Sequence, residues 1–239
     1  MPATKLRAAR LGVEQLETRN LLSNATFAVA TGILNSPENF TDFLKSEYTN
    51  LLRRPPDPSG LSHFLGLLES GVNAETVEAQ LVSSAEYIFD HGNTAVGFIT
   101  GMYQDLLGRN PDPAGLAHWL TALNNGSSNF AVAAGIVTST EREIGLIRGD
   151  YALFLGRLPR TDEIVSWLTR FQTGSNREQV AAGIIASNEF FALAANNPST
   201  FIIHVYQDVF LRTPAQSEVN VWLAVFNQNN LSLGQSVTN

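Results

Sequence analysis

Four times along the chain a tyrosine is followed six residues later by arginine, then two later by proline, then eight later by an aromatic residue and leucine. The series is Tyr48, Arg54, Pro56, Phe64; Tyr103, Arg109, Pro111, Trp119; Tyr151, Arg157, Pro159, Trp167; and Tyr206, Arg212, Pro214, Trp222. Seven beyond the aromatic stands Gly71, Gly126 or Gly174, with Asn229 in the fourth unit; twenty-two beyond it stand Glu86, Glu141 and Glu189. No gap interrupts a unit. A fixed period of about fifty residues means one supersecondary element stacked on copies of itself, a much narrower choice than 239 residues otherwise leave open.

The tyrosines lie 55, 48 and 55 residues apart, so a pair of units spans 103 and the simplest history is a duplicated pair. The two longer joins resemble each other, "EYIFDHGN" at 86–93 and "EFFALAAN" at 189–196.

Each landmark has a helical explanation. Ile99, Met102, Tyr103 and Leu106 fall at i, i+3, i+4, i+7, the apolar stripe of an amphipathic helix that should stop near Gly108 ahead of the proline turn. Asp112-Pro113 reads as an N-cap followed by proline at the first helical position. Leu116, Trp119, Leu120 and Leu123 form a second stripe, which Gly126 ends in the left-handed conformation; Asn229 is the residue that tolerates that geometry in the fourth unit. A third helix follows, "AVAAGIVTSTE" at 131–141 and "VAAGIIASNE" at 180–189. The fold class is therefore all-α, a helical repeat array with about three helices per unit and four related units arranged as a duplicated pair.

The segments read as a leader at 1–24, an orphan third helix at 25–39, repeats at 40–92, 93–143 and 144–195, and an incomplete fourth repeat at 196–239. The orphan carries "VATGILNSPE" at 29–38, which matches "VAAGIVTSTE" at 132–141 and brings Glu38 as a fourth glutamate. It closes the C-terminal unit, in the same molecule or in a neighbour, or it caps the first unit as terminal repeats commonly do.

The arginine has two readings. A ladder of four could grip anionic sugars or carboxylates in bidentate fashion. Alternatively each arginine pairs with its repeat's glutamate, tying the first helix to the end of the third. The "PDPAG" turn offers one aspartate, Asp57 or Asp112, where a calcium loop needs several oxygen ligands, so capping explains it.

Chemistry is sparse. His63 and His118 share a repeat position that Ser166 and Val221 fill elsewhere, and no zinc-protease, nucleophile-elbow or phosphate-loop motif occurs. There is no cysteine, which excludes disulfides and thiol chemistry. The sequence thus predicts no catalytic, cofactor-binding or metal-binding residue, and a non-enzymatic chain. A net charge of −7 disfavours nucleic acid, which requires a basic footprint. No stretch approaches the ~18 consecutive apolar residues of a membrane span. Charged residues make up 15%, below the roughly 25% of ordinary soluble domains, which leaves a polar but weakly charged exterior.

At the N-terminus, Lys5, Arg7 and Arg10 form a basic start with no apolar core of secretory type behind it. "VEQLETRNLLS" resembles the LEPR-XLL sorting segment of planctomycete-type extracytoplasmic proteins, through Leu16, Glu17, Arg19, Leu21 and Leu22, with Thr18 where that family has proline. The resemblance implies a location outside the cytoplasm.

The repeat resembles domain of unknown function 4214, whose signature is Tyr…Leu-Leu-Gly-Arg-x-Pro-Asp-Pro-x-Gly-Leu-x-x-Trp. Residues 103–119 match it closely and 48–64 nearly as well, with Arg53 for the glycine and Phe64 for the tryptophan; the third and fourth units lack Asp-Pro-x-Gly. That resemblance implies a secreted or surface module, adhesive and with no defined reaction, and the expected partner is a second copy of the chain or another surface protein. The repeat also looks like anchoring segments that hold envelope polysaccharide, which makes polysaccharide binding the alternative expectation.

Overall fold

The computed structural model describes residues 22–231, and among these every regular element is an α-helix. In chain order they are α1 (22–34), α2 (Pro37–Leu52), α3 (Pro58–Glu69), α4 (Ala74–Val82), α5 (Ala85–Asp90), α6 (Ala95–Leu107), α7 (Pro113–Asn124) and α8 (Asn129–Val137). There follow α9 (Thr140–Leu155), α10 (Thr161–Gln172), α11 (Arg177–Ile185), α12 (Asn188–Leu193), α13 (Pro198–Phe210) and α14 (Gln216–Leu231). The all-α reading holds.

The unit is richer than three helices. A short helix, α5 or α12, follows the third helix wherever the join is long, and left-handed residues end it: Gly92 and Asn93 in one case, Ala195 and Asn196 in the other. In the short join the same segment runs on without a break into the next first helix, giving α9. The 55 and 48 spacings are these two solutions. The recurring glutamate consequently lies in the first turn of the following helix rather than at the end of the third. Ser84, Ser139 and Ser187 stand two residues before it and accept a backbone N–H at 3.2–3.3 Å, from Tyr87, Arg142 and Phe190. A carboxylate there also meets the positive end of the helix dipole.

The front of the chain differs from the expected 25–39 helix. Helix α1 already includes residues 22–24, breaks at Asn35 and Ser36, and a new helix starts with Ser36 as its N-cap. Glu38 therefore sits in the first turn of α2. The LEPR-XLL-like match falls on residues outside the described part, except for its last leucine, Leu22. Asn229 does not end a helix. It lies inside α14, where its Nδ2 donates to the Val225 carbonyl at 2.8 Å, because tolerance of the left-handed region does not oblige asparagine to enter it.

The chain divides into two compact units, each with its own core. One holds Asn35–Gly149 with Leu158–Val180; α4 and α8 run through its centre, their small and β-branched residues Val77, Ala79, Val82, Val132, Ala133 and Ile136 buried. The stripe Ile99, Met102, Tyr103, Leu106 packs against the same core. α7 buries nothing completely; Leu116, Trp119, Leu120 and Leu123 lie half-buried on its rim. The other unit holds residues 22–34, Asp150–Arg157 and residues 181–231. Its core is aromatic. Phe190 meets Phe154 and Phe201 edge-on at 6.2 and 5.6 Å between ring centres, and Phe191 stacks on Phe226 at 6.4 Å.

Candidate functional site

The recurring residues come together around each first-helix C-terminus. Each first helix ends with a left-handed residue (Arg53, Gly108, Gly156 or Leu211), which turns the chain so that the arginine folds back over its tyrosine. The guanidinium centres of Arg54, Arg109, Arg157 and Arg212 lie 5.0–5.2 Å from the rings of Tyr48, Tyr103, Tyr151 and Tyr206. Three of the arginines then fork onto the repeat glutamate. Arg54, Arg109 and Arg157 give Nε to Oε1 at 2.5–2.6 Å and Nη2 to Oε2 at 2.6–2.7 Å of Glu86, Glu141 and Glu189, always 32 residues on. Nη1 donates to the next carbonyl, Pro55 for Arg54 and Asn110 for Arg109. The bond from its arginine holds the carboxyl of Glu86, and equally of Glu141, below the usual range.

The arginine of the fourth unit holds a carboxylate six residues on. Arg212 gives Nη1 and Nη2 to Glu218 at 2.9 and 2.6 Å, and Glu218 also caps α14 by accepting the Ala215 N–H at 2.7 Å. These bonds and the Ala215 N–H bring its carboxyl down to about 2.

Aromatic positions complete the set. The Trp119 indole donates to the Tyr103 hydroxyl at 3.2 Å, Trp222 to Tyr206 at 2.8 Å, and Phe64 meets Tyr48 edge-on at 6.2 Å. Trp167 is half-buried on α10. Asp112 caps α7 by accepting from Ala114 and Gly115 N–H at 3.1 and 2.9 Å, as the sequence predicts; Asp57 does the same for Gly60 at 2.9 Å. A cap accounts for the aspartate without a metal, and among the described residues no three histidine or acidic side chains are placed to hold an ion. His63 and His118 are exposed, each resting against its neighbouring ring.

Two clusters lie outside the repeat pattern. Asp105 accepts from Arg53 Nη2 at 2.6 Å and from the Tyr87 hydroxyl at 2.9 Å, while His91 Nε2 stands 3.4 Å away and its Nδ1 contacts the Tyr87 carbonyl at 2.8 Å. Deeper in the same unit, Glu78 (1% exposed) takes Arg142 Nη2 at 2.6 Å, with Arg177 Nη1 at 3.6 Å from its other oxygen. The Arg177 backbone N–H donates to Glu75 Oε1 at 2.7 Å, and its guanidinium lies 5.2 Å from the Phe43 ring centre. Burial pushes the neighbouring Glu47 carboxyl up to about 7, with Glu78 adding to the shift. A cavity of about 210 Å³ adjoins this cluster, lined by Glu75, Glu143, Asn73, Asn176 and Phe171. Glu75 and Asp105 recur 103 residues on, as Glu178 and Asp208, but Glu47, Glu78, Arg142 and Arg177 have no identical counterpart, so periodicity misses the cluster; the available signal is Glu75 and Glu78 beside Val77 and Leu81, charges on the apolar side of a short helix.

A family model described as "Domain of unknown function (DUF4214)" matches residues 19–91 and again 78–144, together more than half of the chain. The two matches share the second half of α4 and all of α5, and the first begins just ahead of α1. Among curated proteins and among solved structures, nothing matches the chain.

Proposed function

Because the chain belongs to the DUF4214 family, we propose that it is a non-enzymatic helical-repeat module that works outside the cytoplasm, in interaction or assembly at the cell surface. One observation carries the reading: the residues that recur engage one another. Tyrosine supports arginine, arginine holds glutamate, and tryptophan bonds to tyrosine, as in Tyr103, Arg109, Glu141 and Trp119. What is repeated is a building block rather than a reactive group, and tandem blocks of this kind serve as extended contact surfaces. The LEPR-XLL-like start, Leu16 to Leu22, supports the location. Among the described residues no helix is long and apolar enough to cross a membrane.

Polysaccharide binding is the alternative, and it draws on the arginines and aromatics. The forks onto Glu86, Glu141 and Glu189 occupy those guanidinium donors, and the indole N–H groups of Trp119 and Trp222 already have partners, so assembly is the stronger reading. Cell fractionation tests it. The full chain should appear in the envelope or the medium, and a form lacking residues 1–21 should stay in the cytoplasm. A full chain retained in the cytoplasm overturns the reading.

A further inference from the structure

Trp222 of α14 has its ring where a Cβ on Gly32 of α1 would stand. The second unit has the same arrangement, built from one stretch of chain: a Cβ on Gly135 of α8 would meet the Trp119 ring at 2.6 Å. Gly32 and Gly135 occupy matching places in "VATGIL" and "VAAGIV", 103 residues apart, as are Trp119 and Trp222. Helix α1 therefore does for α13 and α14 what α8 does for α6 and α7. Among the described residues no third helix follows α14, and the helix in that place comes from the front of the chain.

The seat is a finished one. Ala25, Thr26, Val29, Ala30 and Ile33 are at most 1% exposed, and Thr26 Oγ1, 2.9 Å from the Leu22 carbonyl of its own helix, also lies 3.2 Å from the Ala186 carbonyl just beyond α11. The chain passes from α1 to α2 through the break at Asn35 and Ser36, and Ser36 caps α2 through the Asn39 N–H at 3.2 Å.

We infer that α1 is an exchangeable helix and that its partner is a second copy of this chain: the seat on α13 and α14 accepts α1 of another molecule, so copies join by helix donation. The inference rests on the assembly reading above. Donation replaces each contact with an identical one, which is why exchange of an element between copies is a low-cost route to oligomers. What opposes it is the high local concentration of the tethered helix, on the order of millimolar for a short tether, so donation grows with protein concentration.

Complementary substitutions in the full chain test this. Gly32→Trp sets a ring against Trp222 and spoils the chain's own seat; Trp222→Ala leaves a gap there. Mixed, the two chains can restore both seats only by exchange, one regaining the Gly–Trp contact and the other a Trp–Ala contact. Native mass spectrometry should show species containing both chains. Gly32→Trp/Trp222→Ala in one chain should give a helical protein that closes on itself. If the single variants do not fold, isotope-labelled and unlabelled unsubstituted chains, mixed at about 1 mM, should give particles carrying both labels.

Absence of mixed particles in both formats overturns the inference. The two readings fail separately. A chain that reaches the envelope without forming mixed particles keeps the surface role and loses helix donation. A chain that forms mixed particles but stays in the cytoplasm does the reverse.

Discussion

Gly115, the third residue of α7, stands where a Cβ would come within 2.7 Å of the Tyr103 hydroxyl. Gly60 has the same relation to Tyr48. The Asp-Pro-x-Gly motif is thus one device: aspartate caps the helix, proline starts it, and glycine leaves room for the tyrosine. The third and fourth units start the helix otherwise. Glu163 and Glu218 replace the glycine and reach back 2.7 Å to the backbone N–H of Arg160 and Ala215.

Gly115→Ala should cost about 1–2 kcal/mol in urea denaturation, since an added methyl in a close contact is overpacking. Tyr103→Phe removes the atom it strikes, so the double variant should be no less stable than Tyr103→Phe alone. Simple additivity of the two losses would show that the hydroxyl is not what the glycine accommodates.

Leu211 has φ 54° and is 87% exposed, at a position that Gly108 and Gly156 fill in the second and third units. Left-handed backbone costs a non-glycine residue about 1 kcal/mol, so Leu211→Gly should stabilise by roughly 0.5–1 kcal/mol once the looser unfolded chain is counted. Arg53 has the same φ but gives Nη2 to Asp105 at 2.6 Å, so Arg53→Gly should show no such gain. Thermal midpoints of the two variants decide the matter.

Glu218 makes two bonds to Arg212 and one to the Ala215 N–H. Glu218→Ala should therefore lose about 1–2 kcal/mol, the scale of a lost helix cap. Glu218→Gln keeps the cap acceptor and gives up the charge, and should fall between the two in guanidinium denaturation. Equal losses for both would assign the whole effect to the ion pair.

What the sequence made legible is what recurs. The Tyr–Arg–Glu sets, the Asp112 cap and the glycines at 71, 126 and 174 follow from register alone, because packing and capping demand them in every copy. The glutamate was harder to place. Seen as the tail of "AVAAGIVTSTE" it looks like a helix end, and only Ser139 bonding to Arg142 N–H shows it to be a helix start. Glu47, Glu78, Arg142 and Arg177 were invisible for the opposite reason: they meet in space from helices far apart in sequence, and alignment of repeats discards what occurs once. Asn229 misled because a permissive residue is not an obligatory turn.

Buried and arginine-paired carboxylates set the pH dependence. Burial raises Glu47 to about 7, and raises Glu178 to about 7 as well, whereas in the unfolded chain both titrate near the ordinary glutamate value of 4.5. Between these limits the folded chain binds more protons than the unfolded one, so their contribution makes stability fall as pH rises from about 4.5 to 7. Glu86 and Glu141 work with the other sign. Their arginines lower them, so the stability they supply is present above 4.5 and is lost as pH falls through their folded values. The thermal midpoint should therefore peak near pH 5, at about the unfolded carboxylate value, and decline on both sides. Glu47→Gln removes the buried charge and should raise the midpoint at pH 8 and flatten the limb between pH 5 and 8, leaving the acid limb unchanged. A variant with the original slope above pH 5 would mean that Glu47 stays ionised in the fold, balanced by Arg142 and Arg177.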